Sequence, residues 1–337
     1  MGLIKKFLLG LLAILLISCS SGGDDYKKKL NVDVSDVETP ALTLRRYDKV
    51  LFSLDTNDFQ NALKSIQHDY MPFIGGNLDD SAAVNYLRLF VVDSFTRAVA
   101  EKVTIQYPDD DAIKKDIVDV FRHISYYYPT LDLPNLVYTY VSGIDYQTPP
   151  IMINGDAVLI ALDYYLSCDE VYDQIGMPRY RSVRTFKQTL LRDLSVAVYQ
   201  NKLEKPYRQT DLLHEMIRCG KRLYFAEAMT PMLHDTILMG YPTSQMNWVL
   251  ENEGAVWSSL VGEQLLYNTS LNTLQQFLGD GPFTQAFSQE APARLGEFVG
   301  LQIVRSYMTH NNVSLPTMLE NNDLQGILQD SYYKPRK

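Results

Sequence analysis

Apolar residues pace positions 83–101 at steps of three and four: Val84, Leu87, Val91, Phe95 and Val99. That spacing predicts an amphipathic helix. Residues 57–69 and 110–125 read the same way, the second opened by the helix-start acids Asp109–Asp111. The pattern then changes. Residues 136–141, Leu-Val-Tyr-Thr-Tyr-Val, are β-branched and aromatic and close on Ser142-Gly143, which predicts a strand. Ile151-Met152-Ile153 predicts a second, turned through Asn154-Gly155 into Val158-Leu159-Ile160. Helical periodicity returns over about 180–204, 208–228, 243–268 and 292–309. The expected fold is α+β, predominantly α: a single domain over 42–330 with a small central sheet.

The N-terminus has its own pattern. Lys5 and Lys6 precede an uncharged run from Phe7 to Ile17, followed by Ser18-Cys19. This is the charge order of a signal peptide. The run is too short for the roughly 20 residues a membrane-crossing helix needs. Leu16-Ile17-Ser18-Cys19 resembles a bacterial lipobox, so residues 1–18 are expected to be removed and Cys19 acylated. Two or three acyl chains would then hold the protein firmly to the bilayer. The polar stretch that follows, SSGGDDYKKK, predicts a flexible tether, taken here as residues 19–41. No later segment is long and apolar enough to span.

Removal of residues 1–18 takes away Lys5 and Lys6 and deepens the net charge from −9 to −11. That acidity speaks against a nucleic-acid partner. Beyond Cys19 the only thiols are Cys168 and Cys219, which could pair or stay reduced. Tyrosine is abundant, at 23 residues, and Tyr126-Tyr127-Tyr128-Pro129 clusters it. Such rings usually pack while keeping their hydroxyls wet. A surface that binds glycan or peptide is the sharper reading.

The candidate chemistry lies in DLLHEMIRCGK, residues 211–221. On a helix, Leu213, Met216, Ile217, Gly220 and Tyr224 share one face. Asp211, His214, Arg218 and Lys221 share another. His214-Glu215 opens like the zinc helix His-Glu-x-x-His, but Arg218 stands where the second histidine belongs. Zinc in a catalytic site needs about three protein ligands with lone pairs. Arginine has only donors and stays charged. The expected role of Arg218 is therefore to stand in for the metal's charge, with Glu215 or an acid brought by the fold as its partner. Glu253, downstream in Glu251-Asn252-Glu253, is the one candidate for a third ligand. With five histidines in the chain, a chance His-Glu is unsurprising, so the dipeptide alone carries little.

Longer stretches carry more. They run from Arg46-Tyr47-Asp48-Lys49-Val50-Leu51-Phe52, through His123-Ile124-Ser125-Tyr126-Tyr127-Tyr128-Pro129, to Leu159-Ile160-Ala161-Leu162-Asp163-Tyr164-Tyr165-Leu166. After the histidine helix come Gly240-Tyr241, Trp248, Asn252-Glu253, Trp257, Gly281-Pro282-Phe283-Thr284 and Pro292-Ala293-Arg294-Leu295-Gly296. In order and spacing, over about residues 44–320, the chain resembles the gliding-motility lipoprotein GldB family of Bacteroidetes. That family is similar to zincin-like peptidases with an intact His-Glu-x-x-His. The resemblance implies a zincin-like domain in which His214 matches the first ligand, Glu215 the general base and Glu253 a third ligand, with Arg218 departing at the second.

It also implies an envelope role. The expectation is an outer-membrane lipoprotein of the gliding or type IX secretion machinery. It would be anchored by acylated Cys19, face the periplasm or the cell surface, contact other envelope proteins, and need no cofactor. Asp24 and Asp25 behind the cysteine resemble the acidic tethers of surface-displayed lipoproteins. In that reading His214, Glu215, Arg218 and Glu253 form a vestigial, non-catalytic polar cluster. The alternative is a membrane-anchored zinc metallopeptidase, with Glu215 as the base and His214 and Glu253 among the ligands.

Overall fold

A computed structural model describes residues 25–167, 169–206, 208 and 210–336. The expected signal peptide, Cys19 and Cys168 lie outside these residues. The architecture is mainly helical with one four-stranded sheet, as the hydrophobic pattern predicts. The strands are β1 (Thr43–Arg46), β2 (Leu136–Tyr140), β3 (Ile151–Asn154) and β4 (Ala157–Ala161). Their order is β1-β2-β4-β3. β1 and β4 both run parallel to β2, while β3 pairs antiparallel to β4. Asn154 pairs with Ala157 across a two-residue turn. Gly155 takes its first position at φ +58°, a conformation that suits glycine.

Alternation along the strands builds two cores. Val137, Val158 and Ile160 point into the main core. Tyr138 points to the opposite face, into a smaller cluster with Tyr47, Leu51, Phe59, Leu63 and Val91. The Arg46–Asp48 motif locks this corner. Arg46 Nε bonds both carboxylate oxygens of Asp48 at 3.0 and 3.1 Å, and its Nη1 reaches the carbonyl of Tyr107 at 3.1 Å. Both side chains are buried. This ties the end of β1 to the helix Ser94–Gln106 and its C-cap.

Several predicted boundaries shift for local reasons. The helix expected over 83–101 is two, Ser81–Val92 and Ser94–Gln106. Asp93 ends the first, and its carboxylate accepts from Thr96 N to start the second. The helix expected over 180–204 is broken. Thr185 Oγ1 bonds the Ser182 carbonyl and Thr189 Oγ1 the Phe186 carbonyl, which competes with helix continuation. The α-helical parts there are Arg179–Ser182 and Thr189–Val198, the second continued by a π-helical turn, Tyr199–Leu203. The helix expected from 292 starts at Leu295, because Arg294 is left-handed at φ +61°. Thr284 closes the preceding Gly-Pro loop with bonds to the carbonyls of Ala291 and Pro292.

Part of the tether expected over 19–41 is folded onto the domain. Asp25–Leu30 is helical, and Tyr26 and Leu30, one turn apart, are buried in the main core. Lys29 Nζ bonds the carbonyls of Met308 and Asn311, at the end of Leu295–His310. Composition read this stretch as polar; two apolar side chains at helical spacing are enough to dock it.

The main core is organised around the helix Leu212–Met229, hereafter the central helix, and Leu295–His310, its partner. The two approach through glycine. A methyl at Gly220 would meet the carbonyl of Gly300, and one at Gly300 would meet the carbonyl of Met216. Removing side chains at the crossing lets the two backbones touch. Further along, Arg305 of the partner grips Glu227 through Nε–Oε2 at 3.0 Å and Nη2–Oε1 at 2.7 Å. The same guanidinium bonds Asp235 at 3.0 and 2.7 Å and lies over the Tyr26 ring.

Candidate functional site

The central helix begins at Asp211, whose carboxylate accepts from His214 N at 3.0 Å. The same oxygen is 2.6 Å from His214 Nδ1. With Nδ1 protonated the ring donates to Asp211, which fixes its orientation and leaves Nε2 as the other ring nitrogen. The expected apolar face is confirmed: Leu213, Met216, Ile217, Gly220 and Tyr224 are all buried.

The expected polar face is not a solvated one. Arg218 and Lys221 are buried, at 9 % and 4 % exposure. Arg218 Nη2 bonds Glu204 Oε1 at 2.7 Å, and Nη1 is 3.4 Å from Glu215 Oε2. Glu204 also receives Arg222, whose Nε lies 3.0 Å from each of its oxygens. One carboxylate thus clamps two arginines on successive turns. Glu215 further accepts from the backbone N–H of Thr210, and burial pushes its carboxyl above the usual range. Burial also lowers the Arg218 pKa, with Glu204 working against it. Lys221 Nζ bonds the carbonyls of Leu319 and Asn321, at the C-terminal end of the helix Leu315–Glu320.

Glu204 is the residue the sequence pattern missed. It caps the π-helical turn, its N–H bonding the Tyr199 carbonyl at 2.8 Å. Nothing in the local sequence links it to position 218; the π turn would have been the signal, and such turns recur at functional sites. Glu253 is held elsewhere. It accepts from Tyr333 Oη at 2.7 Å and lies 3.9 Å from Arg336 Nε. No hydrogen bond or ion pair joins it to His214, Glu215 or Arg218 among the described residues. The tyrosine cluster divides as well. Tyr126 is exposed and meets Tyr127 edge-on at 5.0 Å, whereas Tyr128 lines a cavity with His214.

That cavity has about 360 Å³ of open volume. His214, Arg218 and Lys221 form its polar side, and Tyr128, Tyr199 and Leu319 part of its apolar wall. As a zinc site the residues do not fit. His214 alone offers a nitrogen lone pair, the Arg218 guanidinium fills the position one turn on, and Glu253 is committed to Tyr333. Among the described residues no three or more of His, Cys, Asp and Glu come together as a metal-ligand group.

Fold and site together define a helical α+β domain built around a buried central helix with an arginine salt cluster. The chain belongs to the gliding motility protein GldB family, whose model matches residues 27–335. That is a family of gliding-motility lipoproteins. No curated protein and no solved structure matches it. Among the described residues no helix is long and apolar enough to cross a membrane.

Proposed function

We propose that this protein is a non-catalytic component of the gliding or type IX secretion envelope machinery, built on a degenerate zincin-like scaffold. It is held at the outer membrane by acylated Cys19, works through other envelope proteins, and needs no metal cofactor. The observation that carries this is Arg218. Its guanidinium stands where a second metal ligand would be needed, and it is tied to Glu204 and Glu215, the residue that would otherwise activate water. A cationic side chain there supplies the charge of a metal without its open coordination position. Glu215 then keeps a salt bridge rather than a proton-transfer role.

The test is complementation in the source bacterium. A deletion strain is supplied with the wild-type chain, with Glu215→Gln, or with Cys19→Ala. Glu215→Gln should restore movement or secretion, and Cys19→Ala should not. Metal content of the chain purified without chelators should be well below one zinc per chain. Failure of Glu215→Gln at normal protein level, with stoichiometric zinc lost in His214→Ala, would overturn the reading in favour of a metallopeptidase.

A further inference from the structure

The cavity beside the central helix holds a buried ammonium bonded, among the described residues, only to backbone carbonyls. Arg218, Arg222 and Lys221 contribute three cations to this cluster, and Glu204 and Glu215 two carboxylates. Asp211 is engaged with His214 through its Nδ1. Lys221 is the cation left over. Among the described residues no carboxylate is within ion-pair distance of its ammonium, and its two hydrogen bonds go to backbone carbonyls. An ammonium has three donors, so one remains. A buried charge of this kind is costly unless something pairs with it. Its burial, with Arg218 nearby, depresses the Lys221 pKa to about 8.

The surroundings narrow the ligand. Lys221 is one ammonium without a carboxylate partner among the described residues, which suits a monoanion. Arg218 and Arg222 are already bonded to Glu204, which leaves both poorly placed to grip a phosphate in the usual bidentate way; exposed Arg208 also lines the cavity. Tyr128, Tyr199, Leu203 and Leu319 give the cavity an apolar and aromatic wall. Neither phenol hydroxyl, of Tyr128 or Tyr199, has a hydrogen bond among the described residues. Exposed Lys205, Arg208 and Glu320 also line it, on a chain that is acidic overall. The volume is at the small end for a ligand site, about right for one or two residues.

We propose that this cavity binds a single carboxylate carried on an apolar or aromatic body, with Lys221 as its counter-charge. This chemistry is shared by the free C-terminus of a peptide chain and by a small apolar acid. The site stands whether or not the envelope role does, since it asks only for binding.

The test uses the full-length chain in detergent and isothermal titration calorimetry. The probes are the tripeptide acetyl-Ala-Ala-Phe as free acid, the same peptide as C-terminal amide, N-acetylphenylalanine, and inorganic phosphate. The free acid should bind at least tenfold more tightly than the amide, and Lys221→Met should lose at least tenfold for the acid alone. Tighter binding of the tripeptide than of N-acetylphenylalanine supports the site as a chain-end receptor; equal binding supports it as a small-acid site. The acid–amide contrast on the unaltered chain does not depend on the variant folding. Equal affinity for acid and amide, no binding of either acid, or displacement of the acid by equimolar phosphate would overturn the proposal.

Discussion

Replacing Gly220 by alanine puts a methyl between two helix backbones. The added carbon would sit 2.7 Å from Leu301 N and nearer still to the carbonyl of Gly300. Ordinary carbon contacts need about 3.5 Å, so the helices must part by roughly 1 Å. Both helices are almost wholly buried along the crossing, with Met216, Ile217, Phe298 and Leu301 packed there. A gap of 0.5–1 Å forfeits about a quarter to a half of each dispersion contact it opens. Overpacking of this kind costs about 1–3 kcal/mol, and the close approach to backbone places Gly220 at the upper end. Alanine returns about 1 kcal/mol through its better helix propensity. The expected net loss is about 2 kcal/mol. Urea denaturation should show a lower midpoint at unchanged slope. Gly300→Ala should cost a similar amount, because its methyl would meet the Met216 carbonyl. The double variant should lose less than the sum, since the first methyl opens the gap the second needs. A Gly220→Ala chain as stable as wild type, or more so, would refute the backbone contact at this crossing.

Other substitutions test the charged groups. Arg305→Met leaves Glu227 buried and Asp235 without its fork, and should cost about 3–5 kcal/mol in urea unfolding. Arg305→Lys should recover only part of this, because one ammonium cannot hold two forks; full recovery would show that charge alone suffices. Asp163 is fully buried, and its Oδ2 accepts from Ser142 N, Ser142 Oγ and Ile144 N at 2.7–2.9 Å. Burial raises its pKa from 3.8 to about 6, against these hydrogen bonds. The native state therefore holds this proton more tightly than the unfolded chain. Its contribution to stability is complete below about pH 4 and is lost as pH rises through 6. The stability of wild type relative to Asp163→Asn should fall by up to about 3 kcal/mol between pH 4 and 7; a flat difference across urea titrations at pH 4, 5, 6 and 7 would contradict this.

Local patterns determined much of the molecule. Residues 110–127 form a helix because Asp109 caps it and apolar residues repeat at helical spacing. The three strands near 136–161 follow from β-branched runs and one Asn-Gly turn. The apolar face of the central helix, and the lone-pair argument against Arg218 as a ligand, also needed nothing beyond the sequence. Periodicity and donor chemistry are properties of neighbours in the chain, so a sequence displays them. Tertiary structure decided the rest. Whether Arg218 and Lys221 faced water or protein depended on residues 199–204 and 319–321 folding over them. Glu204 reaches Arg218 from 14 positions away, and Lys221 meets carbonyls about 100 positions on. Glu253 matched a ligand by type but is drawn to Tyr333, 80 residues later. Asp25–Leu30 looked like tether until its two apolar side chains found the far end of the fold. Burial and charge pairing across such separations are set by packing, which spacing along one chain does not encode.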